Sequence, residues 1–289
     1  MQTAGRVMHE GLMPAVSAAP TGGKRVLLCA DDYALHPAVD AAVVALARQG
    51  RLSATSCMTT SPRWAEAARL LEAVPALARG LHLNMTEGHG QPAPTLGAVL
   101  RGAYAHRLSP AQVREQVTRQ LDDFERVLGT PPDFVDGHQH VHQLPGVREV
   151  LLAVLAERYG AAAPWVRTTV PATWRWGAGK AGVLALLGGW RFRRQLAARG
   201  VPHNAGFGGV YGFDAPTPAA YGQHMDRWLA ASPDGTLLMC HPADARVDGD
   251  AIADARRVEY AYLASDAFAE SLHKHGAQVG VLVRGATPA

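Results

Sequence analysis

Cysteine is scarce: Cys29, Cys57 and Cys240 are odd in number, far apart and each set in apolar sequence. A disulfide framework or a zinc knuckle needs closer, paired spacing. The three are read as buried wall residues of a protein in a reducing cytoplasm. Charge of one sign is scarce too. The 289 residues carry a formal net charge of +3 and no long basic run, which excludes a broad nucleic-acid surface. The densest basic cluster, Arg191, Arg193 and Arg194, fits a solvated helix face. No apolar run approaches the roughly 18 residues of a helical membrane span. There is no G-x-S-x-G elbow, Walker A loop or H-E-x-x-H pair, so serine-nucleophile, phosphate-cradle and zincin chemistries lack support.

What is present is the rhythm of an α/β protein. Residues 1–23 read as a flexible leader: the apolar stretch there is short, broken by Pro14 and preceded by Glu10, unlike a signal peptide. Residues 24–289 read as one domain. Arg25–Ala30 is apolar without alternation, a buried strand, and Pro37 opens a helix that Gly50 ends. A strand over Leu52–Thr59, a helix over Trp64–Ala78 and a strand over Gly80–Met85 follow. Ser109 caps a helix that Pro110 begins and Gly129 closes, with Val113, Val117, Leu121, Phe124 and Leu128 on one face. Phe134–Asp136, Trp165–Thr168, Thr236–Cys240 and Gln278–Val283 read as later strands. Pro145–Tyr159 and Gly182–Gly200 read as helices, and Val201–Phe213 as irregular. Alternation of this kind predicts a parallel sheet with helices outside.

The ionisable residues fall at strand ends. Asp31-Asp32 follow the first strand, His82 lies at the end of the third, His138 follows the next, Arg167 lies near the end of another and His241 follows Cys240. In a barrel the carboxyl ends of the strands converge on one face, where active sites are built; an open sheet would spread them along a crevice. Convergence of five such sites favours a distorted, TIM-like (β/α) barrel. An Asp-Asp pair is often a turn or a cap, yet after a buried strand two carboxylates need a cation or donors. In Asp136-Gly137-His138-Gln139-His140-Val141-His142, three imidazoles lie within five residues behind an aspartate, which suits a divalent metal. A turn at Gly137 would let one or two of them point inward. Arg167 fits either orientation of Asp31 or substrate binding. Between His203 and Phe213, glycines alternate with Phe207 and Tyr211, as in a sugar-binding loop, and Trp165, Trp174, Trp176 and Trp190 could form a platform or a core.

At these residues the chain resembles the YdjC-like carbohydrate deacetylases. The matching text is Leu27-Leu28-Cys29-Ala30-Asp31-Asp32-Tyr33, Gly80-Leu81-His82, Asp136–His142 and Met239-Cys240-His241-Pro242-Ala243. The family usually reads Ala-Asp-Asp-Phe-Gly where this chain has Tyr33-Ala34, so a ring gains a hydroxyl and a glycine's freedom at positive φ is lost. The resemblance implies a distorted β/α barrel, a homodimer, and a divalent ion held by Asp32, His82 and His138. It implies magnesium, although two imidazoles and a carboxylate would equally suit zinc or another transition ion. Asp31 then matches a general base and His241 an acid, in hydrolysis of a small N-acetylated amino sugar with release of acetate. His140, His142, Arg167, Tyr33, Phe207 and Tyr211 are expected around the ion or the substrate, with His142 the nearer of the two histidines to the ion. A hydrolase of another amide or ester, and a non-catalytic sugar-binding protein, are the alternatives. No nucleic-acid or membrane partner is expected.

Overall fold

In the computed structural model, residues 23–171 and 185–281 are described. Among them eight strands form one sheet: β1 Lys24–Tyr33, β2 Ala54–Cys57, β3 Ala78–Leu83, β4 Phe134–Gly137, β5 Trp165–Val166, β6 Gly206–Gly208, β7 Thr236–Cys240 and β8 Ala277–Val279. The order is β5-β4-β3-β2-β1-β7-β6, and every ladder is parallel. β8 pairs with Lys24–Val26, below the point where β2 joins β1 at Cys29. The two edges meet through single bridges, Val166 with His203 and Pro171 with Phe207. The Val166 N–H donates to the Pro202 carbonyl at 2.9 Å on the same seam. The sheet therefore curls round on itself as the distorted barrel that the sequence predicts.

Strand periodicity of two sorts the side chains. Leu27, Cys29, Ala54, Ala78, Phe134, Trp165, Phe207, Leu237 and Met239 make one buried cluster, the interior of the barrel. Their neighbours Val26, Leu28, Ala30, Leu238 and Cys240 belong to the larger cluster beneath the helices. Gly80 leaves room inside: a Cβ there would lie 2.3 Å from the Phe134 ring. The three cysteines are free and buried.

Helices cover the outside. α1 (Pro37–Arg48) is capped by His36, whose Nδ1 accepts from the Ala38 N–H at 3.1 Å. α2 (Trp64–Leu70) stops well short of Ala78, because Pro75 cannot continue a helix and β3 already begins at Ala78. α3 (Leu96–Tyr104) lies between the third strand and the Ser109-capped helix, where no element is predicted. α4 (Pro110–Leu128) has the predicted ends, with Ser109 as its cap and Gly129 at φ 70°. α5 (Val147–Tyr159) follows a turn, and α6 (Trp190–Ala198) follows a π turn over Ala185–Gly189. α7 (Pro218–Ala231), α8 (Ala253–Leu263) and α9 (Asp266–Lys274) complete the layer. β6 lies inside the segment expected to be irregular. No helix among the described residues is long and apolar enough to cross a membrane. Residues 1–22 of the expected leader, Trp174, Trp176, the first three residues of the Gly182–Gly200 helix and the end of the last predicted strand lie outside the described residues.

Candidate active site

Extending the inward alternation by one step along each strand gives Asp31, Ser56, His82, Asp136, Arg167 and His241, all at the carboxyl ends. Asp32, next to Asp31, should by the same period face outward. It does not, because the β1–β2 register shifts between Ala30 and Tyr33 and Asp32 takes φ 66°. This bulge turns a second, adjacent carboxylate to the same face. Asp32 Oδ1 then lies 2.9 Å from His138 Nδ1 and 3.4 Å from His82 Nε2.

The other edge of His82 is fixed, since its Nδ1 lies 2.6 Å from Asp136 Oδ1. A carboxylate behind an imidazole sets its tautomer and aims Nε2 forward, as behind metal-binding histidines. Asp136 Oδ2 accepts from Ser56 Oγ and pairs with Arg167 Nη2 at 2.5 Å. Arg167 also forks onto Asp31, with Nη1 to Oδ2 at 2.7 Å and Nη2 to Oδ1 at 2.6 Å. Asp31 Oδ2 is 3.9 Å from His241 Nε2. The His241 backbone N–H donates to Glu259 Oε2 at 2.6 Å, and Glu259 Oε1 accepts from the Tyr211 hydroxyl at 2.7 Å. Asp32 Oδ2 accepts from Arg256 Nη2 at 2.7 Å.

Three buried carboxylates, Asp31, Asp32 and Asp136, thus share the site with two buried guanidiniums. At least one negative charge is left over, since Arg256 is shared with Asp250 and Glu259 is a fourth buried carboxylate beside them. Burial opposes ionisation of Asp31, but Arg167 outweighs it and holds the carboxyl below its ordinary range. Burial likewise opposes ionisation of Asp32 and is overcome, chiefly by Arg256 and then His138. Burial disfavours the charged His82 ring, yet Asp136, then Asp32 and Asp31, raise its pKa to about 10. The site calls for one more cation, and a proton on His82 answers when nothing else does.

A divalent ion fits that demand. Asp32, His82 and His138 each offer one donor atom, mutually within 4.8 Å. Donors about 2.1 Å from one ion lie roughly 3.0–3.4 Å apart in octahedral or tetrahedral arrangement, close to the separations found here. A carboxylate with two imidazoles is a donor set for which zinc and other transition ions compete with magnesium.

The other expected residues are placed differently. His138–Gln143 forms a tight turn with Gln139 at φ 51° and His140 at φ 59°, and this turn carries His138 alone to Asp32. His142, expected near the ion, is buried against Phe192 with Nε2 3.0 Å from the Arg167 carbonyl. Burial lowers its pKa to about 4, so the ring is neutral and donates to that carbonyl. His140 stacks edge-on against Phe207 at 5.6 Å. Tyr33 points into the outer core, its hydroxyl donating to the Ala67 carbonyl at 2.8 Å. Period two takes it there, one residue beyond the bulge. Tyr211 faces Glu259 and the aromatic rings of α7 rather than the barrel mouth. Trp165 packs against Phe134 inside the barrel, not as a sugar platform, while Trp190 is partly exposed on α6.

Sequence reading did not find Ser56, Arg256 or Glu259, and it used Asp136 only to introduce the histidines. A signal for Arg256 and Glu259 exists. Ala255, Arg256, Glu259, Tyr262 and Leu263 recur at helical spacing, and all five are buried on one face of α8.

Residues 25–274 match the family model described as YdjC-like protein. A chitooligosaccharide deacetylase of Serratia marcescens is 25% identical over 271 residues, covering 89% of this chain and 97% of that one. A mouse carbohydrate deacetylase is 33% identical over 151 residues, 47% of this chain. That match spans about half of the mouse protein, 48%. Among solved structures, an Enterococcus faecalis protein assigned to cellobiose-phosphate cleavage superposes with a TM-score of 0.67 at 18% identity, over 90% of this chain and 98% of that one. This last likeness concerns the fold. With the family model covering most of its length, the chain belongs to the YdjC-like protein family.

Proposed function

We propose that this protein is a metal-dependent hydrolase that removes the acetyl group from a small N-acetylated amino sugar of the chitooligosaccharide kind. The observation that carries the reading is the pairing of two arrangements at one mouth. Asp32, His82 and His138 each bring a donor atom within 4.8 Å of the others, and Asp31 Oδ2 and His241 Nε2 face each other beside them across 3.9 Å. A purely structural ion site has use for neither of the second pair. The names borne by the Serratia and mouse relatives supply the acetamide and the sugar.

When bound, a divalent ion would polarise the acetamide carbonyl and acidify water beside it. The rest falls to the chain. Asp31 receives the proton of the attacking water. Each carboxylate oxygen has two acceptor positions, so Arg167 leaves one open at the Oδ2 that faces His241. Arg167 keeps Asp31 ionised and fixes its plane, at some cost in basicity. His241 passes a proton to the departing amine, and Glu259 holds its backbone in place. Asp136 fixes the His82 ring so that Nε2 stays turned toward Asp32 Oδ1, where the three residues would hold an ion.

The test is acetate release from N-acetylglucosamine, diacetylchitobiose, its phosphorylated form and soluble chitin, before and after chelation, with magnesium and zinc each restored. Acetate and a new primary amine from the disaccharide, lost on chelation and regained with one ion, is the expected result. Cleavage of an ester or another amide, with no acetate from any N-acetyl sugar, would overturn it.

A further inference from the structure

The two oxygens of Asp32 face different partners. Oδ1 is turned to His138 and His82, whereas Oδ2 receives Arg256 Nη2 at 2.7 Å. Arg256 comes from α8, is 2% exposed, and has its Nε fixed by Asp250. Arg256 takes one of the two acceptor positions on Oδ2, and its positive charge keeps a dication off the other, so Oδ1 is the oxygen left to offer an ion. The same guanidinium neutralises Asp32 while no ion is present and repels a dication that arrives. Arg167 makes the contrast: its partners, Asp31 and Asp136, both lie outside the ligand triad.

We propose that Arg256 is the resident counter-cation of Asp32, a positioning residue that keeps the metal-free site folded, restricts Asp32 to one-oxygen ligation, and holds divalent-ion affinity below what the three ligands alone would give. This rests on the reading of Asp32, His82 and His138 as ion ligands. Removing Arg256 takes the guanidinium from both the buried Asp32 and Asp250, which destabilises the metal-free chain strongly. An ion then replaces the missing charge and no longer competes for the carboxylate. Loss of stability without ion and gain of affinity for ion are therefore two faces of one change. An arginine that served only to pack α8 would give the first and not the second.

The experiment uses the full chain, stripped by chelation, as wild type, Arg256→Met, Arg256→Gln, Asp32→Asn and the double variant Asp32→Asn/Arg256→Met. Each is melted without metal and with Zn2+, and titrated with Zn2+ by calorimetry. Metal-free Arg256→Met should melt on the order of 10 °C below wild type, and the double variant should melt above the additive expectation, since Asp32 and Arg256 no longer leave one another unpaired while Asp250 loses its partner in both Arg256→Met chains alike. Arg256→Met should bind zinc about tenfold tighter, or more, with a larger zinc-induced rise in Tm than wild type. Arg256→Gln, which keeps a donor for Asp32 but no charge, should show the same gain in affinity if Arg256→Met does not fold. Additive losses in the double variant, or zinc affinity no higher in Arg256→Met and Arg256→Gln than in wild type, would overturn the proposal. Absence of zinc binding in wild type and all variants would instead sink the ligand reading on which it rests, whatever the double variant shows.

Discussion

The barrel has two unlike arcs. From β4 through β1 to β7 the strands are joined by parallel ladders, five paired positions in the case of β1 and β7. Between β5 and β6, two isolated bridges close the ring among the described residues. The regular arc carries Asp31, Asp32, His82, Asp136 and His241. The loosely joined arc carries Arg167, Phe207 and the glycine-rich segment after it. Groups that must meet within hydrogen-bond distance while buried are set on rigid ladders, where a small shift would strand a charge. Among the described residues the seam is held by few backbone ladder bonds and by the buried Asn204 side chain, which bonds Thr168 and Gly206. Among the described buried charges, Arg167 reaches from beside β5 to β1 and β4, and Glu259 on α8 ties Tyr211 to the His241 backbone.

That contrast predicts where substitutions hurt. The largest effect is expected at Asp31. Asp31→Asn removes the proton acceptor and should lower kcat by about 10²–10⁴-fold with metal content unchanged, checked by acetate release and elemental analysis. Loss of the metal together with the activity would exchange the roles of the two aspartates. Next comes the tie between the arcs. Arg167→Met leaves Asp31 and Asp136 without their shared cation and should cost about 3–5 kcal/mol in urea denaturation. A cost below about 1 kcal/mol would mean that the arcs are held together without it. On the loosely joined side, Tyr211→Phe deletes the hydroxyl that donates to Glu259 and should cost about 1–2 kcal/mol with kcat falling several-fold. If kcat fell as far as in Asp31→Asn, the seam would be part of the chemistry and the contrast would fail.

The same division separates what could be read from the sequence. Helix α4 was legible at both ends because Ser109, Pro110 and Gly129 act locally, and β7 was legible as a buried apolar run. The strand-end positions of Asp31, His82 and His241 followed from the same runs. The bulge at Asp32 was not legible: strict alternation would expel one of two neighbouring aspartates, and only pairing with β2 reveals the register shift. The turn over His138–Gln143 depends on positive φ at Gln139 and His140, residues that do not announce it. β6 is three residues, two of them glycine, and is a strand only because β7 lies beside it. Helical spacing puts Arg256 and Glu259 on one face of α8 with Ala255 and Tyr262, but that they reach Asp32 and the His241 backbone shows only in the folded chain.

The smallest effect concerns Ala34, where the family text has glycine. Ala34 follows the bulge at φ 74° and is fully buried. Its N–H donates to Asp40 Oδ1 at 2.7 Å, and its carbonyl accepts from Ser61 Oγ at 2.7 Å. Arg63 holds Asp40 in turn at 2.8 Å. A side-chain-bearing residue in the left-handed region costs about 1–2 kcal/mol. Ala34→Gly would relieve that, but it would give up a buried methyl, about 0.8 kcal/mol, and add unfolded-state freedom, about 0.4–1 kcal/mol. These oppose each other almost evenly, so stability should change by less than about 1 kcal/mol in urea denaturation, and turnover by less than about twofold. Ala34→Val, branched at Cβ, should cost about 2 kcal/mol or more. A much larger stabilisation by glycine would show that Asp40 and Ser61 do not secure the loop. The regular arc would then be storing strain beside Asp32, and its rigidity would no longer explain why the charges sit there.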